Sequence, residues 1–203
     1  PPKCYRLILG STVATNTLLE RTGSRVALIT NEGFEDVIEI GRQDRPQLYA
    51  LTGHRPPPLV DRRDRIGITG RLDPAGDEVS PIDHEQLSLL LEQVGDAEAI
   101  AVVLLHSYAN HTHELAVAKA LEGIGVSVSL SSQILPEFRE FERTSTTVAN
   151  AYVAPRVQSY ISHLSRKCRP GRARRSPRPC SVTITHTLTH FGPGGKGVRC
   201  TKA

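Results

Sequence analysis

The chain lacks methionine, long apolar runs and a clustered cysteine motif. Methionine is absent from all 203 residues, so we expect residue 1 not to be the natural start of the protein. No apolar run approaches the roughly 18 residues of a membrane-spanning helix, and the first residues do not have the pattern of a signal peptide. The four cysteines, at positions 4, 168, 180 and 200, form no short motif, which favours reduced thiols. Together these absences predict a cytoplasmic protein without a membrane span.

Acidic residues are absent from the last part of the chain. Residues 165–203 contain ten lysines and arginines and no acid, whereas the whole chain has a net charge of +4. This stretch has no hydrophobic period, which predicts a basic, disordered tail behind a domain at residues 1–164. Its arginines would suit the phosphates of a nucleic acid, but we favour a tail without that partner.

A zinc site in this tail is a weaker interpretation. Four residues would supply the ligands: Cys168, Cys180, His186 and His190. Eleven residues separate the two cysteines, whereas a zinc finger has about two to four. We therefore predict no metal site there.

Strand and helix signals alternate within residues 1–164. Short apolar runs predict strands at residues 5–9, 26–30, 99–105 and 126–130, and alternation around a turn at 73–76 predicts a hairpin at 65–79. Amphipathic segments predict helices at 33–41, 83–94, 112–124 and 144–164, the last kinked or interrupted by Pro155. This order predicts an α/β fold, with a mixed sheet and flanking helices.

Two polar stretches are the main candidate sites. Residues 135–152, LPEFREFERTSTTVANAY, combine two aromatic side chains with acids, arginines and hydroxyl groups. Residues 10–21, GSTVATNTLLER, lead from a predicted strand through a small-residue turn into a helix. Free N–H groups and the helix dipole at such a turn suit an anion or a carbonyl group. The simpler interpretations are a solvated helix start and a helix cap.

We expect both stretches to serve one functional face, because polar groups at the strand ends of an α/β sheet converge on its cleft. Glu142 or Arg143 would then pair with a charge of an opposite lobe or with Glu20 or Arg21. The prediction joins segments more than 120 residues apart in the sequence.

Three other sets are weaker candidates. His106 follows the strand predicted at 99–105, where ligands of α/β sheets gather, although a structural histidine is the simpler interpretation. Arg42 and Arg45 follow a helix, where they would either hold a carboxylate or phosphate or complement the helix C-terminus. His111 and His113 are two residues apart, which does not place them on one helix face for a metal.

Four long segments, in the same order and spacing, resemble the N-terminal region of the hydantoinase A / 5-oxoprolinase family. They are GSTVATNTLLER (10–21), VALITNEGFEDVIEIGRQDRPQLY (26–49), VVLLHSYANHTHE (102–114) and LPEFREFERTSTTVANAYVAP (135–155). The resemblance covers about residues 7–164. It implies an incomplete N-terminal lobe with the ribonuclease-H-like fold of actin and sugar kinases.

The resemblance also implies a function. Members hydrolyse a small cyclic amide, such as a hydantoin or 5-oxoproline, with ATP and Mg²⁺, and a second hydantoinase-type subunit or domain is the implied partner. The candidates for the phosphate or substrate side are Thr12, Thr15 and Asn16. The candidates for support behind the site or for a lobe interface are Arg139, Glu142, Arg143 and Thr144. A carboxylase relative remains an open model.

The chain departs from the family pattern at both ends. The family's Asp-x-Gly-Gly-Thr hairpin, which wraps ATP phosphates, would precede Gly10, where only nine residues stand and none matches. The basic tail has no family character. We therefore expect a fragment that is inactive alone. The alternative is a non-catalytic remnant that acts only by association, through its surface or its basic tail.

Overall fold

The computed structural model describes residues 11–43, residue 49 and residues 56–168. In chain order, the elements are α1 (Val13–Leu19), β1 (Val26–Asn31), α2 (Val37–Ile40), a 3₁₀ turn (Arg62–Asp64), β2 (Arg65–Ile68), β3 (Arg71–Leu72), β4 (Glu78–Ser80), α3 (His84–Val94), β5 (Ala99–Val103), α4 (Thr112–Ala120), β6 (Ser127–Leu130), α5 (Ser131–Ile134) and α6 (Glu140–Cys168). None of these described helices is long and apolar enough to cross a membrane.

Contacts divide the chain into two units, residues 1–162 and residues 163–203. The first unit contains all the strands and most of the helices. In the second unit, the described part is the end of α6. The tail predicted at residues 165–203 otherwise lies outside the described residues.

In the described part of the chain, four parallel strands form the central sheet, in the order β2-β1-β5-β6. In β1, Leu28 lies opposite Arg65 of β2 on one side and Ala101 of β5 on the other. Every residue of β1 and of β5 is buried, as expected for parallel strands that are covered on both faces. Because the strands are parallel, their carboxyl ends lie along one edge of the sheet.

Side chains alternate along the central strands and divide the core into two layers. Ile29 belongs to a buried cluster with Leu90 of α3 and Val117 of α4. The preceding residue, Leu28, belongs to the opposite cluster, with Val148 of α6. The described domain is therefore a helix–sheet–helix sandwich, as the α/β prediction required.

Local signals mark several elements where the sequence predicts them. The carboxylate of Asp83 accepts a hydrogen bond from the N–H of Glu85 at 2.9 Å and caps α3, which confirms the predicted helix. β3 and β4 form an antiparallel hairpin around a turn in which the N–H of Asp77 donates to Asp73 Oδ1 at 2.8 Å. Gly76 allows this turn with a φ of +95°.

Other predictions differ from the structure. The described central sheet is wholly parallel rather than mixed, because β2 pairs with β1 and leaves the hairpin as a separate sheet. The helix predicted at 33–41 shortens to α2, because tight turns that include Gly33, at φ +84°, precede it. The last helix begins at Glu140 and continues through Pro155 without interruption. The strand predicted at 5–9 lies outside the described residues.

An ion pair ties the start of β1 to the turn that precedes β2. Arg25 donates from Nη2 to Asp64 Oδ1 at 2.6 Å and from Nε to Asp64 Oδ2 at 3.0 Å. The hydrogen bond from Arg25 holds the pKa of the Asp64 carboxyl below its usual value. The pair therefore stabilises the fold when Asp64 is ionised.

We predict that Asp64→Asn lowers the free energy of unfolding at pH 7. Since the folded-state pKa is depressed, the contribution of Asp64 is present above its unfolded-state pKa of about 4 and is lost as the pH falls below that value. Urea denaturation at pH 7, 5 and 3 should show a difference from the parent that shrinks at pH 3. Asp61→Asn, at an exposed carboxylate, is the matched control. An equal difference at every pH would contradict the prediction.

Candidate functional site

Asn31 connects three chain segments at the carboxyl edge of the sheet. It ends β1, and its side-chain Oδ1 accepts from the N–H of Leu105, just beyond β5, at 2.6 Å. Its Nδ2 donates to the carbonyl oxygen of Gly70, beyond β2. The buried side-chain amide of Asn31 thus provides hydrogen-bond partners for the backbone groups of Leu105 and Gly70, which lie beyond the ends of their strands.

Glu114 is a fully buried carboxylate on α4 beside the same edge. It accepts from the N–H of Leu104 at 3.2 Å, from Ser131 Oγ at 2.6 Å and from the N–H of Ser132 at 2.9 Å. The hydroxyl of Ser131 also lies 3.0 Å from that of Ser107. A buried carboxylate requires such donors, because its desolvation is otherwise very costly.

Arg143 brings a buried positive charge to the edge from α6. Only 1% of the residue is exposed. Its Nη2 donates to the carbonyl oxygen of Leu104 at 2.8 Å, and its Nη1 donates to that of Glu137 at 3.2 Å. Nε is buried and has no hydrogen-bond partner among the described residues. Burial lowers the pKa of Arg143, and the charges of Glu114 and Glu140 partly oppose that change.

A cleft opens beside Arg143, between the α2 segment and the start of α6. It encloses about 10 Å³, which is room for about one water molecule, and it is partly open to solvent. Its apolar walls are Phe34, Val37, Val103 and Leu105, and its polar lining is Thr30, Glu140, Arg143 and Thr144. The cleft lies at the ends of β1 and β5.

An ion pair near this cleft joins the residue beyond α2 to the first turn of α6. Arg42, just beyond α2, donates from Nε to Glu142 Oε1 at 2.7 Å, and its Nη2 lies 2.5 Å from the same oxygen. The N–H of Glu142 itself, and then Arg42, lower the pKa of the Glu142 carboxyl. The pair joins two segments that are 100 residues apart in sequence.

The structure gathers several of the sequence candidates at this cleft and leaves others apart. Arg143 and Thr144 line it, and Arg42 and Glu142 form an ion pair with each other. Thr144 donates its hydroxyl to the carbonyl oxygen of Glu140 at 2.7 Å. Arg139 is exposed, with its guanidinium 5.8 Å from the centre of the Phe138 ring.

The α1 candidates lie on the surface. Thr12, Thr15 and Asn16 are exposed, and the side chain of Thr12 does not cap the helix. The predicted pairing of Glu142 or Arg143 with Glu20 or Arg21 is wrong. Glu142 pairs with Arg42, and Arg21 donates to the carbonyl oxygen of Pro57 at 2.7 Å.

His106 occupies the turn that follows β5. It is half-buried, with a φ of +57°, a conformation that non-glycine residues seldom adopt. Its Nδ1 lies 3.3 Å from the hydroxyl of Tyr108, and the Tyr108 ring centre lies 5.8 Å from the Arg143 guanidinium. An aromatic contact thus connects His106 with the buried arginine.

The remaining candidates do not assemble a metal site in the described structure. His113 is buried and its Nε2 lies 2.8 Å from Glu78 Oε1, whereas His111 is exposed. No group of three or more potential metal ligands occurs among the described residues. Arg45 and the tail residues Cys180, His186 and His190 lie outside them.

Sequence reasoning missed the structural role of Glu114 and of Asn31. Glu114, Val117 and Leu121 recur at helical spacing and are all buried, so the acid lies on the core face of its helix. Asn31 directly continues a strand of buried residues. The signal that identifies both is a polar residue at a position where the helix or strand pattern predicts a buried side chain.

We predict that Glu114→Gln lowers the free energy of unfolding by about 1–3 kcal/mol, because one carboxylate oxygen becomes an NH₂ group that faces a donor N–H or hydroxyl. Urea denaturation at pH 7 measures the change. Glu122→Gln, at an exposed position just beyond the same helix, is the matched control and should leave stability within about 0.5 kcal/mol. Equal stability of the two variants would contradict the role assigned to Glu114.

Comparison with known proteins places this chain in a family. The model of the hydantoinase/oxoprolinase N-terminal region matches residues 2–125. The 5-oxoprolinase 1 of Arabidopsis thaliana is 38% identical over 174 residues, which cover 76% of this chain and 14% of the relative. The caprolactamase subunit alpha of Pseudomonas jessenii is 36% identical over 170 residues, which cover 79% and 24%.

Solved structures agree with these matches. The ATP-dependent caprolactamase from Pseudomonas jessenii has a TM-score of 0.67 at 31% identity, covering 78% of this chain and 24% of that chain. The nucleotide-free structure of acetone carboxylase has a TM-score of 0.67 at 30% identity, covering 76% and 24%. The chain thus spans about a quarter or less of the length of these relatives. It belongs to the hydantoinase/oxoprolinase family, through that family's N-terminal region.

Proposed function

We propose that this chain is part of an ATP-dependent enzyme that opens the ring of a small cyclic amide. The observation that carries the proposal is the polar cleft at the carboxyl ends of β1 and β5, within a chain that matches the family. Ligands of open α/β sheets bind beyond this edge. Relatives named 5-oxoprolinase and ATP-dependent caprolactamase supply the substrate class.

The chemistry explains why such a reaction needs ATP. An unactivated amide carbon is a poor electrophile. In the proposed reaction, the amide oxygen takes the terminal phosphoryl group, which releases ADP and creates a leaving group. Water then adds to the ring carbon, and the C–N bond breaks as the nitrogen takes up a proton, which leaves an acyl phosphate. A second water hydrolyses the acyl phosphate to the carboxylate and free phosphate. Fixed donors that stabilise charge on the amide oxygen favour both steps.

Two groups of residues receive roles in this proposal. The exposed side chains of Thr12, Thr15 and Asn16 supply polar contacts on the phosphate or substrate side. The residues Arg139, Glu142, Arg143 and Thr144 support the site or contact an opposite lobe, and the position of Arg143 and Thr144 in the cleft supports this assignment. The proposed lobe has the ribonuclease-H-like fold.

The described residues do not supply a complete metal site. They contain no group of three or more histidine, cysteine, aspartate or glutamate side chains that could hold an ion. We therefore assign no Mg²⁺ ligand to this part of the chain. The hydroxyl and amide groups of Thr12, Thr15 and Asn16 are accessible to a phosphate and suit it as hydrogen-bond donors.

We propose that segments or subunits other than this chain complete the active enzyme. The chain covers 14% of the plant 5-oxoprolinase and 24% of the caprolactamase subunit, so we propose that it is inactive alone. Since the caprolactamase relative is named as a subunit, a second subunit is the proposed partner.

A carboxylase is the second candidate, since the acetone carboxylase structure has the same TM-score of 0.67 as caprolactamase. A remnant that acts only by association is the non-enzymatic alternative.

We predict that residues 11–168 can replace the matching segment of the caprolactamase subunit alpha. The chimera, assembled with its partner subunit, should release phosphate and open caprolactam in an ATP-dependent manner, because the cleft and sheet edge are retained. Coupled phosphate release and mass spectrometry of the opened product measure the activity. The 203-residue chain alone should give neither product.

The unmodified caprolactamase, with its own segment re-ligated at the same junctions, is the control for the chimera. A folded chimera that assembles without ATP-dependent ring opening would contradict the proposal. Incorporation of labelled bicarbonate into acetone, without ring opening, would instead support the carboxylase.

A further inference from the structure

The backbone of His106 is held in a conformation that non-glycine residues seldom adopt. Its φ is +57°, and it is the third residue beyond β5. Buried groups fix the chain on both sides of it. Leu105 donates its N–H to Asn31 at 2.6 Å, and the hydroxyl of Ser107 lies 3.0 Å from that of Ser131. A residue with such a φ persists where its surroundings determine it, and residues of this kind cluster at functional sites.

The His106 ring has one nitrogen with a neighbour and one without. Nδ1 lies 3.3 Å from the hydroxyl of Tyr108, and the two rings meet edge to face with their centres 5.9 Å apart. The Tyr108 ring centre in turn lies 5.8 Å from the guanidinium of buried Arg143. Nε2 has no hydrogen-bond partner among the described residues, and His106 is half-buried. These contacts orient the ring and leave Nε2 to another molecule.

The other described histidines do not combine these features. His113 is buried and forms an ion pair with the hairpin. The exposed histidines, His84, His111 and His163, lie at or near the ends of helices. Among the described histidines, only His106 lies in the turn directly beyond a strand of the central sheet. Ligands of open α/β sheets bind beyond the carboxyl ends of such strands.

We propose that His106 transfers the proton in the ring-opening step, with Nε2 as the reacting atom. The inference rests on the proposed function and assigns it an acid–base residue. Nε2 takes a proton from the attacking water as the water oxygen bonds to the ring carbon. The imidazolium then gives this proton to the ring nitrogen, which keeps the electron pair of the broken C–N bond. The remaining hydroxyl proton leaves to solvent, and the products are the amine and the acyl phosphate.

A histidine suits both halves of this exchange. Imidazole takes up and releases protons near neutral pH. The ring nitrogen needs a proton as it leaves, because an amide anion is a very poor leaving group. A ring that neighbouring groups already orient does not have to be ordered during the reaction. A residue that only shaped the turn would need no imidazole, since glycine adopts a positive φ without strain.

The intact 203-residue chain tests the geometry of His106 without ATP. His106→Gly should unfold at a higher urea concentration than His106→Ala, because glycine tolerates the positive φ and alanine does not. Diethyl pyrocarbonate, with mass spectrometry as the readout, should modify His106 and spare buried His113. The reverse order of stability, or a His106 as unreactive as His113, would overturn the proposal.

The chimera of residues 11–168 with the caprolactamase subunit tests the reaction. His106→Gln should lower kcat for the opening of caprolactam by about 10²- to 10⁴-fold and leave KM nearly unchanged. In a single turnover, ADP should form at the parental rate while the opened product is delayed, because phosphorylation precedes the proton transfer. His111→Gln, at an exposed histidine, is the matched control and should keep the parental kcat.

Rescue by imidazole separates proton transfer from a structural role. Imidazole added to the His106→Gly chimera should restore ring opening in a saturable manner, because the glycine leaves room for it. It should not restore the His106→Gln chimera, in which a side chain still occupies the position. Activity that is lost in His106→Gly and not restored by imidazole would overturn the proposal in favour of a structural role.

The two proposals fail in different ways. A parent chimera that assembles without ring opening would reject the enzymatic function and, with it, the role of His106. An active parent chimera whose His106→Gln variant is equally active would reject the role of His106 and retain the enzymatic function.

Discussion

Two buried charged side chains form hydrogen bonds with the backbone of Leu104, and these bonds connect much of the described domain. Leu104 follows β5, where the ladder ends. Its N–H donates to Glu114 of α4, and its carbonyl oxygen accepts from Arg143 of α6. Because α4 and α6 pack on opposite faces of the sheet, these two hydrogen bonds join all three layers at one residue.

Buried side chains also hold the residue that follows Leu104. Leu105 is held by Asn31, so the two residues beyond β5 are both bound by buried side chains. The ion pair of Arg42 and Glu142 has exposed side-chain fractions of 58% and 25%. Because exposed pairs contribute little to stability, the buried hydrogen bonds of Leu104 and Leu105 matter more to the fold than this pair does.

Local patterns predict the elements better than they predict the contacts between them. The apolar runs of β1 and β5 and the Asp83 cap of α3 identify those elements from the sequence, because each signal lies within a few residues. β2 pairs with β1 across a connection of more than 30 residues. The sequence pattern at 65–79 predicts only a local hairpin, so it gives no sign of this distant pairing.

The same limit applies to the site. The density of polar residues at 135–152 identifies the region of Arg143 and Thr144, but it does not identify their partners. Arg42 and Glu142 meet across 100 residues, and Arg65, which is 1% exposed in its side chain, pairs with Asp36 and Glu39. Such contacts follow from the packing of the layers and not from spacing along the chain.

Native-state hydrogen exchange at the amide of Leu104 tests the central claim most directly. Because Glu114 accepts this N–H inside the core, its exchange should require global unfolding, with the same free energy as the amides of β5. In Glu114→Gln, the protection of Leu104 should fall more than that of Ala101. Exchange of the Leu104 amide at the rate of an exposed loop, while β5 stays protected, would contradict the account.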